Sequence, residues 1–337
     1  MTPVPFRRTV AVVVLALVAL ATAPALAYLK LGFDFDGRRL SLRWTRVPVP
    51  YFVSQTSVPG VSPSDFQLAV DRAFSTWAEV PTSAVAFEPR GITFALPGED
   101  DERSTLGFLA RPDLDRVLAS TSFLVDGVSG ELIEADIFFN SVFPWSVHPG
   151  GEAGRYDLES VALHEIGHLS GLGHSALGET EFSAGGGRRV IAAGAVMFPI
   201  AFPAGSTADR TLRADDVAGI SDLYPEPGFP DRTGSVSGHV TKDGRGVFGA
   251  HVAAFHLSTG ALVGNFSLNE DGEFSIAGLA PGPHVLRVEP LDDVDVDGFF
   301  PADAPVTLDF RVTYPQRIVV VPRGGDSGVV EIEVVGK

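Results

Sequence analysis

Pro225, Pro227 and Pro230, with Gly228 among them, fall inside one six-residue stretch of a 337-residue chain. Each proline lacks a backbone N–H and fixes φ, so neither a helix nor a central strand can run through 225–230. The chain must therefore organise itself separately on either side, and the two sides differ in texture. Upstream, Ser62-Pro63 reads as an N-cap with proline at the first helical position. Phe66, Val70, Ala73, Phe74 and Trp77 follow at helical spacing. A second helix is predicted over 157–170 and a third over 214–224. Short strands are expected from Tyr51 and over 85–87, 93–95, 122–125 and 135–139. Downstream, strand-like runs at 236–240, 250–255, 274–276, 285–288, 318–321 and 329–335 are separated by turn pairs such as Asp243-Gly244, Asp271-Gly272 and Pro281-Gly282. Evenly spaced short strands of this kind predict a small β-sandwich.

The first 27 residues read as an export signal. Arg7 and Arg8 precede an uncharged apolar run from Val10 to Ala21, and Ala25-Leu26-Ala27 supplies a small-x-small cleavage site. The run is short for a bilayer span, which needs about 20 residues. The expected division is thus a signal peptide at 1–27, a first domain at 28–226, a linker at 227–232 and a sandwich at 233–337. An exported address, whether periplasm, cell surface or extracellular space, follows from the signal. Cysteine is absent, which removes disulfides, thiolate catalysis and Cys-ligated zinc together. The formal charge of −17 repels phosphate backbones, so nucleic acid is not an expected partner.

The chemistry concentrates in His164-Glu165-Ile166-Gly167-His168-Leu169-Ser170-Gly171-Leu172-Gly173-His174. His164 and His168, four residues apart on a helix, project from nearly one face. That spacing suits two nitrogen ligands of one zinc ion. Gly171 can take positive φ, end the helix and let the chain offer His174 as a third ligand. Three protein ligands leave a fourth position for water, the pattern of a catalytic zinc site. Glu165 is placed to take a proton from that water and return it to a departing amine. Peptide-bond hydrolysis is the chemistry these parts suit.

This stretch matches the metzincin signature H-E-x-x-H-x-x-G-x-x-H, and the chain resembles that family over about residues 42–226. Metzincins also place a methionine in a tight turn below the zinc. Met197, in Ala195-Val196-Met197-Phe198-Pro199, is the one methionine besides Met1. Ser175 directly after His174 looks like the matrixins, the matrix-metalloprotease group, as do 135–140, 157–163 and 214–225. The resemblance implies an α+β catalytic domain, a mixed twisted sheet with three main helices. It also implies paired aspartates, matched by Asp215 and Asp216, that brace the Met-turn and, in the family, hold the mature N-terminus. Animal matrixins are kept latent by a prosegment cysteine, which this chain cannot supply. Their second zinc needs several upstream histidines, and only His148 is present. Calcium is the family's other ion. Asp126, Glu131, Glu134 and Asp136 are candidate ligands, with a solvated acidic face as the alternative. Residues 233–337 resemble the carboxypeptidase-regulatory-like, transthyretin-like β-sandwiches. There Asp293-Val294-Asp295-Val296-Asp297-Gly298 opens like a calcium loop but has Ala304 where its twelfth-position Glu should be. His239, His251, His256 and His284 show no metal spacing and are expected to be strand or turn residues.

Three functions remain open on the sequence. The first is an exported zinc endopeptidase acting on proteins or peptides, with an apolar primed-side wall from 198–203. The second is a binding or adhesion protein whose sandwich does the work and whose zinc domain is inactive. The third is a zinc amidase or exopeptidase. A piece ending at 226 is expected to keep short-peptide cleavage, since the ligands, the base and Met197 all precede the linker.

Overall fold

The computed structural model describes residues 12–16, 30–35, 38–182, 188–292 and 296–337; for 12–16, 33–35, 38–39, 182 and 188–189 it describes the backbone alone. Most of the stretch expected to be an export signal therefore lies outside the described residues, as do Asp293, Val294 and Asp295. Among the described residues no helix is long and apolar enough to cross a membrane.

Helix α1 spans Pro63–Ala78 and α2 spans Leu158–Leu169; α3 spans Ala214–Leu223. All three lie where the periodicity predicts them. Ser62 caps α1 reciprocally with Asp65, and Pro63 takes the first turn. This satisfies donors that the helix itself leaves orphaned. The apolar stripe Phe66, Val70, Ala73, Phe74 and Trp77 is buried. The Trp77 indole donates to the Leu163 carbonyl at 2.8 Å, tying α1 to α2.

Helix α3 packs against Leu262–Phe266 and Glu273–Leu279 further down the chain, whereas α1 and α2 pack on a six-stranded sheet. Its order is Val12–Ala16, Ala119–Asp126, Leu132–Asn140, Ser104–Leu109, Val49–Ser54 and Phe87–Thr93. Ala119–Asp126 runs antiparallel to Leu132–Asn140, whereas the inner neighbours are parallel, so the sheet is mixed as expected. Val12–Ala16 lies antiparallel on the outer edge of Ala119–Asp126. Two expected strands shift. The strands expected at 85–87 and 93–95 are replaced by a single strand that starts at Phe87 and stops at Thr93, which leaves Phe94 in solvent at 83% exposure. Gly91 sits at φ +85° within that strand. There it breaks the register with its neighbour, an irregularity that composition alone does not signal.

Beyond the Pro-rich stretch stand two four-stranded sheets. One holds Arg245–Gly246, Gly234–Lys242, Glu273–Leu279 and Asp326–Glu333; the other holds Leu262–Phe266, His251–His256, Gly282–Glu289 and Val319–Val321. Inward residues of both share a core, among them Val236, Ile276, Val252 and Leu286. The two halves of the chain are not separate in space. Ala218 of α3 belongs to the downstream core. A further cluster joins Val190 and Phe198 to Phe266, Leu268, Phe299 and Phe300.

Candidate metal centre

Helix α2 begins at Asp157, whose side chain accepts from the Ser160 N–H at 2.9 Å and from Arg210 at 2.5 and 2.8 Å. It ends in a Schellman turn: Gly171 N–H donates to His168 O (2.7 Å) and Leu172 N–H to Gly167 O (3.0 Å). Gly171 has φ +99°, and a Cβ there would run into the Leu42 carbonyl. The turn therefore requires glycine twice over, for conformation and for space. Its far side is pinned by Tyr224, whose hydroxyl donates to Ser170 O at 2.7 Å. The Trp44 indole adds a bond to Leu169 O at 2.8 Å.

The predicted ligands come together. One nitrogen from each of His164, His168 and His174 lies within 4.8 Å of the others, and among the described residues this is the group of His, Cys, Asp or Glu side chains placed to share an ion. In each imidazole Nδ1 meets a backbone carbonyl: His164 with Val196 O (2.8 Å), His168 with Leu172 O (2.8 Å), His174 with Gly298 O (2.6 Å). A carbonyl only accepts, so each Nδ1 carries the proton and each Nε2 keeps its lone pair. Nε2 of His168 and Nε2 of His174 then face each other at 3.1 Å with no proton to share. Two bare acceptors at that distance repel unless a cation lies between them. Tetrahedral zinc with nitrogens at about 2.0–2.1 Å holds them roughly 3.3 Å apart. The donor set therefore fits zinc. Burial depresses all three groups, with neighbouring imidazoles adding to it at the first two: His164 falls to about 3, His168 goes well below its ordinary 6.5, and His174 goes down by burial. The neutral, ligating form is the one the fold selects.

Glu165 is 6% exposed, and burial pushes its carboxyl up to about 7. Thr121 opposes that shift by donating its hydroxyl to Glu165 Oε2 at 2.7 Å. Thr121 lies on Ala119–Asp126, so the predicted base sits against the strand that flanks the site. Nothing in the sequence marks Thr121, because its partner is 44 residues away.

Met197 is buried beneath the ligands, with its sulfur against Gly167 of α2. Asp216 holds this turn through three backbone donors: Val196 N–H (2.9 Å), Met197 N–H (3.1 Å) and Arg213 N–H (2.8 Å). Asp215 turns the other way and accepts the N–H of Gly264, from the C-terminal half, at 2.8 Å. Burial raises Asp215 to about 7 and Asp216 to about 6. Among residues 198–203, Phe198, Ile200 and Phe202 pack into the cluster shared with the C-terminal half.

The candidate calcium ligands have protein partners. Asp126 accepts the N–H groups of Val128 and Ser129, Glu131 accepts the Thr45 hydroxyl, Glu134 accepts Asp101 N–H, and Asp136 accepts Thr105 and Gly98 N–H. His148 is exposed and caps its own loop at Gly150. His239 and His251 pair with Glu331 and Glu289.

Three histidines placed to share a metal ion, with a buried glutamate beside them, thus stand on a helix and its closing turn against a mixed sheet. The matrixin family model matches residues 43–183, which include the three histidines and Glu165 and stop short of Met197. Metalloendoproteinase 1-MMP of Arabidopsis thaliana is 32% identical over 200 residues, covering 55% of this chain and 45% of the relative. Metalloendoproteinase 4-MMP of the same plant is 32% identical over 197 residues, covering 56% and 49%. Interstitial collagenase of Oryctolagus cuniculus is 26% identical over 191 residues, covering 54% and 33%. The chain spans about half the length of the curated plant relatives. Among solved structures, the Bacillus anthracis TIE protein aligns at 17% identity with a TM-score of 0.20, over 31% of this chain and 17% of its own. A superposition that loose says nothing about the fold.

Proposed function

We propose that this chain is an exported zinc endopeptidase in which His164, His168 and His174 hold the metal and Glu165 is the general base. The observation that carries the reading is the tautomer pattern: three Nδ1–H groups fixed by carbonyls, which leaves three Nε2 lone pairs free, with one nitrogen from each ring within 4.8 Å of the others. Bound there, zinc would supply Lewis acidity for a scissile carbonyl and for an attacking water. Glu165 takes the water's proton and delivers it to the leaving amine. A carboxyl held near 7 by burial suits both directions of that transfer at neutral pH.

The substrate backbone lies extended along Ala119–Asp126. That edge already accepts Val12–Ala16 in antiparallel register, and cleavage after Ala27 frees it for another strand. Main-chain pairing gives affinity there, and alternate side chains reach the pockets. The C-terminal sheets are read as the carboxypeptidase-regulatory-like sandwich. The primed side is taken to prefer apolar residues, with the half-buried Ile200 and Phe202 supplying its wall.

Cleavage-site profiling of a proteome-derived peptide library, with and without a chelator, tests the reading. Chelator-sensitive internal cuts ahead of apolar residues are expected. Absence of turnover from a zinc-loaded protein would favour the binding-protein alternative, and cuts confined to free termini the exopeptidase.

A further inference from the structure

His164 and His168 are oriented by their own half of the chain, through the Met-turn and the Schellman turn. His174 is not. It follows α2 on the Leu172–Ser175 loop, and the acceptor of its Nδ1–H is the carbonyl of Gly298, 124 residues away in the C-terminal half. Gly298 closes the 3₁₀ turn Val296–Gly298. The next residue, Phe299, sets its ring against the His174 imidazole, with centroids 6.3 Å apart and planes at 83°. Phe299 is itself seated on Phe266 at 5.6 Å and is 8% exposed. A second, independent bond, Gly264 N–H to Asp215, holds the same two surfaces together.

We infer that the turn Val296–Gly298, with Phe299, is a positioning element of the metal centre, so that the C-terminal half completes the third ligand. This rests on the zinc reading above. The physical case is the freedom that His174 would otherwise have. An imidazole on a loop can rotate and exchange tautomers, and half of those states turn a proton toward the ion. A carbonyl acceptor on Nδ1 removes them and raises the basicity of Nε2. The Phe299 ring blocks rotation. Outer partners of metal-bound histidines are typically worth about 10–100-fold in metal affinity.

The test uses the full mature chain in three variants: Phe299→Ala, Phe299→Leu, and deletion of Asp297 and Gly298. Zinc affinity is measured by competition with a chromophoric chelator, and folding by near-UV circular dichroism of the metal-free proteins. Loss of about tenfold or more is expected for Phe299→Ala and for the deletion, with Phe299→Leu within about threefold of the parent. If the deletion does not fold, Phe299→Ala decides. Parent-like affinity in a folded deletion variant, or in Phe299→Ala when the deletion fails to fold, overturns the inference and leaves the zinc reading standing. A parent that binds no zinc overturns the zinc reading itself.

Discussion

Glu165 and its neighbours set what single substitutions should do. Glu165→Ala keeps the three nitrogens and should retain zinc, while kcat/KM falls by about 10²–10⁴, the usual weight of a positioned general base. Paired zinc titration and peptide kinetics check this, and undiminished turnover would place the base elsewhere. Thr121→Val removes the hydroxyl that favours the ionised carboxylate. The Glu165 pKa then rises further, so the acid limb of the kcat/KM–pH profile should move to higher pH. For the metal-free protein the histidines give a different signature. Burial holds His164 near 3 against an ordinary 6.5, so below pH 6.5 the unfolded chain takes the proton first. That contribution is whole above pH 6.5 and is lost as pH falls toward 3. The buried carboxyls of Glu165, Asp215 and Asp216, raised to about 6–7, act in the opposite sense over the same window. The check is therefore a difference: as pH falls from 6.5 toward 3, the thermal midpoint of His164→Gln should gain on that of the parent. At this scale the grouping of His164, His168 and His174 with Glu165 was legible because their spacing is local to one helix and its turn. Thr121 and Gly298 were not, because sheet register and the apposition of the two halves bring them in from far away in sequence.

The elements meet at Gly167, where α2 presses on the Met-turn. Alanine favours a helix by about 1 kcal/mol over glycine, yet its Cβ would strike the Met197 sulfur and lie 3.0 Å from Trp77 Cζ2. Overpacking of that kind costs about 1–3 kcal/mol, so Gly167→Ala should be net destabilising in urea melts, against its propensity. Asp216→Ala strips the acceptor from three backbone N–H groups, two of them in the Met-turn. The loss should be at least about 1–3 kcal/mol, the cost of one such orphaned group. Weakened zinc binding should accompany it, because the Val196 carbonyl that orients His164 belongs to the same turn. Helix ends were readable from Ser62-Pro63, Asp157 and Gly171, each a local device. The strand at Phe87–Thr93 was not: its register break at Gly91 and the solvent exposure of Phe94 depend on its place at the sheet edge. The paired aspartates were recognised together, but their division of labour was not. Asp215 serves the C-terminal half, and that partnership exists only once the chain has folded back.

For the whole molecule, the shared cluster and the Asp215–Gly264 bond predict joint unfolding. Calorimetry of the full mature chain should give one transition, raised by zinc, rather than two separated ones. Independent endotherms would show that the halves are merely tethered.

Phe198, Leu177 and Ala195 are each less than 8% exposed, and Phe266, Leu268 and Ala253 of the C-terminal half share their clusters. A fragment ending at 226 would put that face in water. Apolar patches of this sort are where proteins stick to one another. Such a fragment should therefore self-associate and come off a sizing column as soluble aggregate, so low activity measured on it would report colloidal loss as much as altered catalysis.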